Sequence, residues 1–169
     1  MIKNLKYKFK RMRVSGELTE LLEAASARAR SYKHDYVGVE HVFLSAFALP
    51  QTHPGHQVIQ SLPVDVPAFI ADLESYSKVV TGRPVPEVIP YTPRLKHVLG
   101  IATRYARLGE GNEVRIAHFL GAVALERNSA VSYVLRKHIE KSKSYGLPQA
   151  TAAYFAILTS YPSALRFEI

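Results

Sequence analysis

Sliding the chain against itself by 77 positions aligns two helical patterns without a gap, and this duplication constrains the fold more than any other feature of the sequence. Leu18, Leu22, Ala25, Ala29, Arg30 and His41 meet Leu95, Leu99, Ala102, Ala106, Arg107 and His118, each pair identical in type. Leu21, Val37 and Val39 meet Val98, Val114 and Ile116. Within each copy the apolar residues recur at i, i+3, i+4 and i+7 (Leu18, Leu21, Leu22, Ala25; Leu95, Val98, Leu99, Ala102), which is the stripe of a helix that buries one face. Each copy therefore opens with an amphipathic helix. Thr92 followed by Pro93 gives the second one a capping hydroxyl and a proline at its first helical position.

A short polar connection leads in each copy to a second, more apolar helix. Glu40 to Leu49 carries Val42, Phe43, Ala46 and Phe47, and Ala117 to Leu125 carries Phe119, Leu120 and Val123. That density of large side chains marks it as the buried helix. Beyond it the copies realign with a shift of 73, Val58 and Leu62 meeting Val131 and Leu135. The four extra residues of the first copy belong in the turn-rich run from Pro50 to Gly55. A further helix from Val66 to Tyr76 is expected, with Asp65 as cap and Pro67 in its first turn. Its counterpart is less legible: Lys137 to Lys143 is strongly polar, and Leu147 to Thr159 reads as an Ala-rich apolar helix that docks on the body.

Pro84, Pro86, Pro90 and Gly82 make the stretch between the copies an extended connection. No stretch shows strand alternation with hairpin turns, so the expected class is all-α: a duplicated helical repeat plus a C-terminal helix. The expected divisions are a leader (1–16), a first repeat (17–78), a linker (79–92), a second repeat (93–143) and a helical tail (144–169).

The 169 residues suffice for a real core without staples, and the absence of cysteine excludes disulfides, thiolate metal sites and cysteine catalysis. No apolar run reaches the length of a membrane-spanning helix, and after Val14 the chain turns polar where a signal peptide needs an apolar core. A cytoplasmic protein is expected. The net charge of +8 is concentrated: Lys3, Lys6, Lys8, Lys10, Arg11 and Arg13 precede the first acid, Glu17, and the remainder carries +2. The basicity therefore belongs to the leader. Its residues Ile2, Leu5, Phe9 and Met12 share a helical face and suit an anionic surface, while Leu5, Tyr7 and Phe9 suit a strand equally well; a solvated terminus is the plainer reading.

Tyr36-Val-Gly-Val-Glu-His-Val-Phe-Leu44 resembles the Tyr-Ile-Gly-Thr-Glu-His-Leu-Leu-Leu signature of the Clp amino-terminal (Clp R) repeat domain. Tyr91-Thr-Pro-Arg-Leu-Lys-His-Val-Leu99 resembles that family's repeat opening, and Val114-Arg-Ile-Ala-His-Phe-Leu120 its second Gly-Thr-Glu-His element. The resemblance covers about Glu17 to Lys137. It implies a pseudo-twofold pair of four-helix repeats that binds adaptors or substrates for an AAA+ unfoldase and is not itself catalytic. The chain has no Gly-x-x-x-x-Gly-Lys-Ser/Thr loop, so a freestanding recognition module without the motor is expected. In ClpC-type domains the Glu of each element accepts the guanidinium of phosphoarginine. Glu40 keeps that carboxylate; Ala117 does not, and Val39 and Ile116 stand where the family has threonine, so at most one such site is left.

The remaining candidates point away from catalysis. His53 and His56 have helical spacing, but Pro54 and Gly55 lie between them, so a surface loop is expected and not a metal site. His41 and His118 are repeat-equivalent and read as packing or capping residues with hydrogen-bonded rings. Glu40 and His41 are helical neighbours about 100° apart and are not expected to converge on one substrate atom. Tyr32, Tyr36, Tyr91, Tyr105 and Tyr133 could stack bases, yet fit better at the rim of the core. No enzyme activity, cofactor or metal is expected. A protein or peptide partner (a Clp-type unfoldase, adaptor or client) leads, with contacts expected at Lys33, Glu40 and Arg115 near the repeat junction and at Arg83 on the linker. The alternative is a nucleic-acid or anionic-surface binder acting through the leader.

Overall fold

The structure, a computed structural model, describes residues 13–144 apart from 54, 55, 57, 58, 61, 63, 78–81, 109–111 and 127. The leader through Met12 and the apolar tail after Ser144 lie outside the described residues. Among the described residues the helices are α1 (Gly16–Ser31), α2 (Val39–Phe47), α3 (Val66–Ser77), α4 (Pro93–Leu108), α5 (Ile116–Leu125) and α6 (Ala130–Ser144). None is long and apolar enough to cross a membrane.

The opening helices start as their sequences dictate. Leu18 N–H donates to Ser15 Oγ at 3.3 Å, and Leu95 N–H donates to Thr92 Oγ1 at 3.1 Å, the same bond at repeat-equivalent positions. Asp65 Oδ1 caps α3 by accepting from Ala68 N–H at 3.1 Å. Each hydroxyl satisfies an amide that the helix leaves without an internal acceptor. Ser15→Ala and Thr92→Ala are each expected to cost about 1 kcal/mol in chemical denaturation; a loss below about 0.3 kcal/mol at either position would show that the cap is not holding its helix.

A detail absent from the sequence reading joins the halves. Arg13–Val14 (β1) pairs in parallel with Glu113–Val114 (β2), in the register Arg13↔Glu113 and Val14↔Val114. Val37 and Tyr91 form a second parallel bridge. Adding 77 to Val14 gives Tyr91, and adding 77 to Val37 gives Val114, so the two pairings are one contact made twice with the halves exchanged. Their backbone bonds match as well: Ser15 N–H to Val114 O, and Thr92 N–H to Val37 O, both at 3.0 Å. The expectation of no strands is thus corrected by pairs too short to show alternation. They form because the extended residue before each opening helix meets the extended residues before the other half's buried helix.

α1 packs on α2 and α4 on α5, while α3 crosses to α6 and α2 touches α3, α4 and α6, so one core runs through both halves. Phe43, Phe69 and Phe119 are wholly buried within it. The third element of the second half is α6, a longer helix than its polar stretch suggested. Val131, Val134, Leu135 and Ile139 form its buried stripe, and Arg136, Lys137, Glu140 and Lys141 its exposed face. Residues 82–90 are irregular and extended. The Arg30 guanidinium fastens them by donating to Pro86 O at 3.4 Å and Glu87 O at 2.7 Å.

Candidate functional site

The buried helices of the two copies enter the core through histidine. With no hydroxyl at the first turn, the ring reaches back instead: Gly38 N–H donates to His41 Nδ1 at 2.9 Å, and Arg115 N–H donates to His118 Nδ1 at 3.0 Å. His41 is fully buried, and its Nε2 lies 2.8 Å from His34 Nδ1. Because Nδ1 accepts from Gly38, the His41 proton sits on Nε2 and points at His34 Nδ1, which places the His34 proton on its own Nε2. Tyr36 stacks on His34 at 5.1 Å, and Tyr32 packs edge-on to it at 5.7 Å. Burial, then His34 and Arg28, lower the His41 pKa to about 4, and burial lowers that of His118.

Glu40 folds back over Gly38, where a Cβ would collide with its carboxylate. Its Oε1 comes within 3.5 Å of His41 Nδ1, closer than the helical angle between neighbours suggested. Burial raises its pKa. The contact makes no acid–base pair, because both His41 nitrogens are already engaged.

The other expected contact residues lie apart. Lys33 is exposed just after α1 with φ 57°. Arg83 is exposed and meets Asp35 at 3.5 Å, which brings it to the turn that carries Lys33. Arg115 is exposed at the start of α5, where Ile116 N–H donates to Glu17 Oε1 at 3.4 Å. His53 Nε2 lies 3.4 Å from Glu20, and His56 Nδ1 lies 3.0 Å from Leu49 O. Among the described residues no cluster of His, Asp and Glu could hold a metal ion. Tyr32, Tyr91 and Tyr105 are half-buried against the core. Tyr133 departs from the expected rim position: it is 54% exposed, with its ring against Tyr76.

A groove of about 570 Å³ opens between α1 and α4, lined by residues outside the expected contact set. Repeat-equivalent pairs build it: Val14 with Tyr91, Leu22 with Leu99, and Ser26 with Thr103. Thr19, Glu23 and Val114 complete the lining. Val14 is 47% exposed there, a large apolar side chain left open by the paired strands. The Tyr91 hydroxyl is pushed up by burial and by the nearby Glu23 carboxylate. None of Lys33, Glu40, Arg83 and Arg115 lines this groove. The signal was present in the duplication, since a face repeated in both halves and meeting itself across a twofold axis must form one continuous surface.

The family model of the Clp repeat (R) N-terminal domain matches residues 13–138. A chain from structural investigations of a malarial protein secretion system is similar at 15% identity and TM-score 0.68, over 90% of this chain and 97% of that one. The N-terminal domain of the caseinolytic protease associated chaperone ClpD from Arabidopsis thaliana is similar at 17% identity and TM-score 0.57, over 89% and 95%. A chain from work on coevolution of the ATPase ClpV, the TssB-TssC sheath and the accessory HsiE protein in type VI secretion is similar at 16% identity and TM-score 0.60, over 91% and 89%. At these identities the structural likeness is one of fold.

Proposed function

The chain belongs to the Clp repeat (R) N-terminal domain family, and from that premise we propose that it is a non-enzymatic module that holds a polypeptide segment in the groove between its repeats. The partner is a Clp-type unfoldase, adaptor or client. The groove carries this reading: apolar Val14, Leu22, Leu99 and Val114 line an open cavity large enough for several side chains of an extended or helical peptide. A catalytic reading finds less support, because His41, the histidine beside Glu40, spends both its nitrogens on the Gly38 N–H and on His34. Lys33, Glu40, Arg83 and Arg115 are proposed as secondary contacts on the outer surface.

Gly100 supplies the test. It sits one turn before Thr103 on α4, and a Cβ there meets nothing within 4 Å. Gly100→Leu is expected to fold with unchanged or higher thermal stability, since a mid-helix glycine costs roughly 0.5–1 kcal/mol. It should weaken binding of a fluorescein-labelled 15-residue peptide of Leu, Ala and Ser at least about tenfold in anisotropy titrations. Unchanged affinity in the folded variant removes the groove as the binding surface.

A further inference from the structure

Taking that groove as the binding surface, we propose that it selects a cationic apolar segment of a partner polypeptide, one that carries Lys or Arg among its apolar side chains. The polar lining is built almost wholly of acceptors. Thr19 Oγ1 donates to Ser15 O at 3.0 Å, Ser26 Oγ to Leu22 O at 3.1 Å and Thr103 Oγ1 to Leu99 O at 2.7 Å. Each hydroxyl has therefore spent its one proton on the carbonyl a turn earlier and presents lone pairs to the groove. Glu23 adds a carboxylate, and among the described lining residues the Tyr91 hydroxyl is the one side-chain donor left. A wall of acceptors suits an ammonium or guanidinium, which offers donors only, and rejects a carboxylate, which offers none.

The acid is not repeated across the axis. Glu23 plus 77 is Gly100, which places no side chain where the twofold would put a second carboxylate. That asymmetry leaves open space at Gly100, on the α4 side, and it gives a nearly symmetric groove one preferred peptide direction. Glu17 and Glu20 lie on other sides of α1 and are drawn to Ile116 N–H and to His53. The selectivity also opposes the charge of the molecule: at +8 the whole chain attracts acidic peptides, so a preference for basic ones has to arise locally.

The full chain is titrated with three labelled 15-residue peptides that share one Leu, Ala and Ser frame and carry Lys, Ser or Glu at two positions. The Lys peptide is expected to bind about tenfold tighter than the Ser peptide, with the Glu peptide weakest. Glu23→Gln, checked by a thermal melt for folding, should bring the Lys-to-Ser ratio to within about twofold. Equal affinities, a preference for Glu, or a Lys preference that survives Glu23→Gln would overturn the inference and leave the groove reading standing. Failure of all three peptides to bind would remove the groove reading itself. Because the chain has no cysteine, spin labels at Leu5→Cys and Thr103→Cys report whether its own leader fills the groove. A short label distance that excess Lys peptide does not lengthen assigns the groove to the leader and rules out a partner.

Discussion

Phe69→Ala is expected to lower the unfolding free energy by about 3–5 kcal/mol, the largest single-residue effect anticipated for this chain. The ring is wholly buried on α3 and faces Phe47 at 5.4 Å, Phe43 at 6.0 Å and His138 at 5.5 Å between centroids. Phe43 and Phe47 belong to α2, and His138 to α6 of the second half, so one side chain ties three helices across the repeat boundary. Removing it loses the transfer energy of the ring and leaves a cavity that three rigid neighbours cannot collapse into. It also weakens the seam where His138 Nε2 and Lys137 Nζ meet Asp72 of α3, at 2.9 and 3.0 Å. Val88→Ala, 83% exposed, serves as the control and should lie within about 0.5 kcal/mol of the parent. Urea titrations read by far-UV circular dichroism measure both. A cost below about 1 kcal/mol for Phe69→Ala would mean that the halves do not share a core.

That shared core shows why some features were legible in the sequence and others were not. Helix faces and caps depend on residues within one or two turns of each other, so Leu18, Leu22, Thr92 and Asp65 announced themselves through spacing alone. The histidine caps were half legible: the recurrence of His41 at His118 marked a structural role, and only the coordinates show the ring taking over from a missing hydroxyl. Contacts made across the twofold axis carry no local signature. The Val14↔Val114 and Val37↔Tyr91 pairings are each one or two residues long, and the groove joins residues from Val14 to Val114. Lys33, Glu40 and Arg115 stand out by position beside the repeat junction and Arg83 by its place on the linker, whereas the open apolar surface lies where the two opening helices flank the groove. Tyr133, expected at the rim of the core, sits on the outer face of α6 against Tyr76.

Acidification from pH 6.5 to pH 4 is expected to remove about 3 kcal/mol of stability through His41 alone. In the unfolded chain this imidazole takes up a proton near its ordinary pKa of about 6.5. In the fold it stays neutral down to about 4, because a proton on Nδ1 would face the Gly38 N–H and a charge would be buried beside His34 and Arg28. The unfolded state therefore binds more protons between these values, so stability is full above about pH 6.5, falls through the window and levels off below about 4. His118, with its pKa also lowered, adds to the same slope. Asp72 and Glu126, whose carboxyl pKa values are depressed in the fold, also lose stability on acidification. Glu40, with its pKa raised by burial, acts in the opposite sense, and Tyr32 and Tyr36 pack their rings against His41. His41→Asn isolates the effect: the amide oxygen can accept from Gly38 and the amide nitrogen can donate toward His34, with no titration. Urea midpoints at pH 7.0, 6.0, 5.0 and 4.5 should show the parent losing stability relative to the variant as pH falls. Parallel curves across that range would mean that His41 is not held neutral by the entrance to α2, and that the acid sensitivity of this fold resides in His118 and the carboxylates.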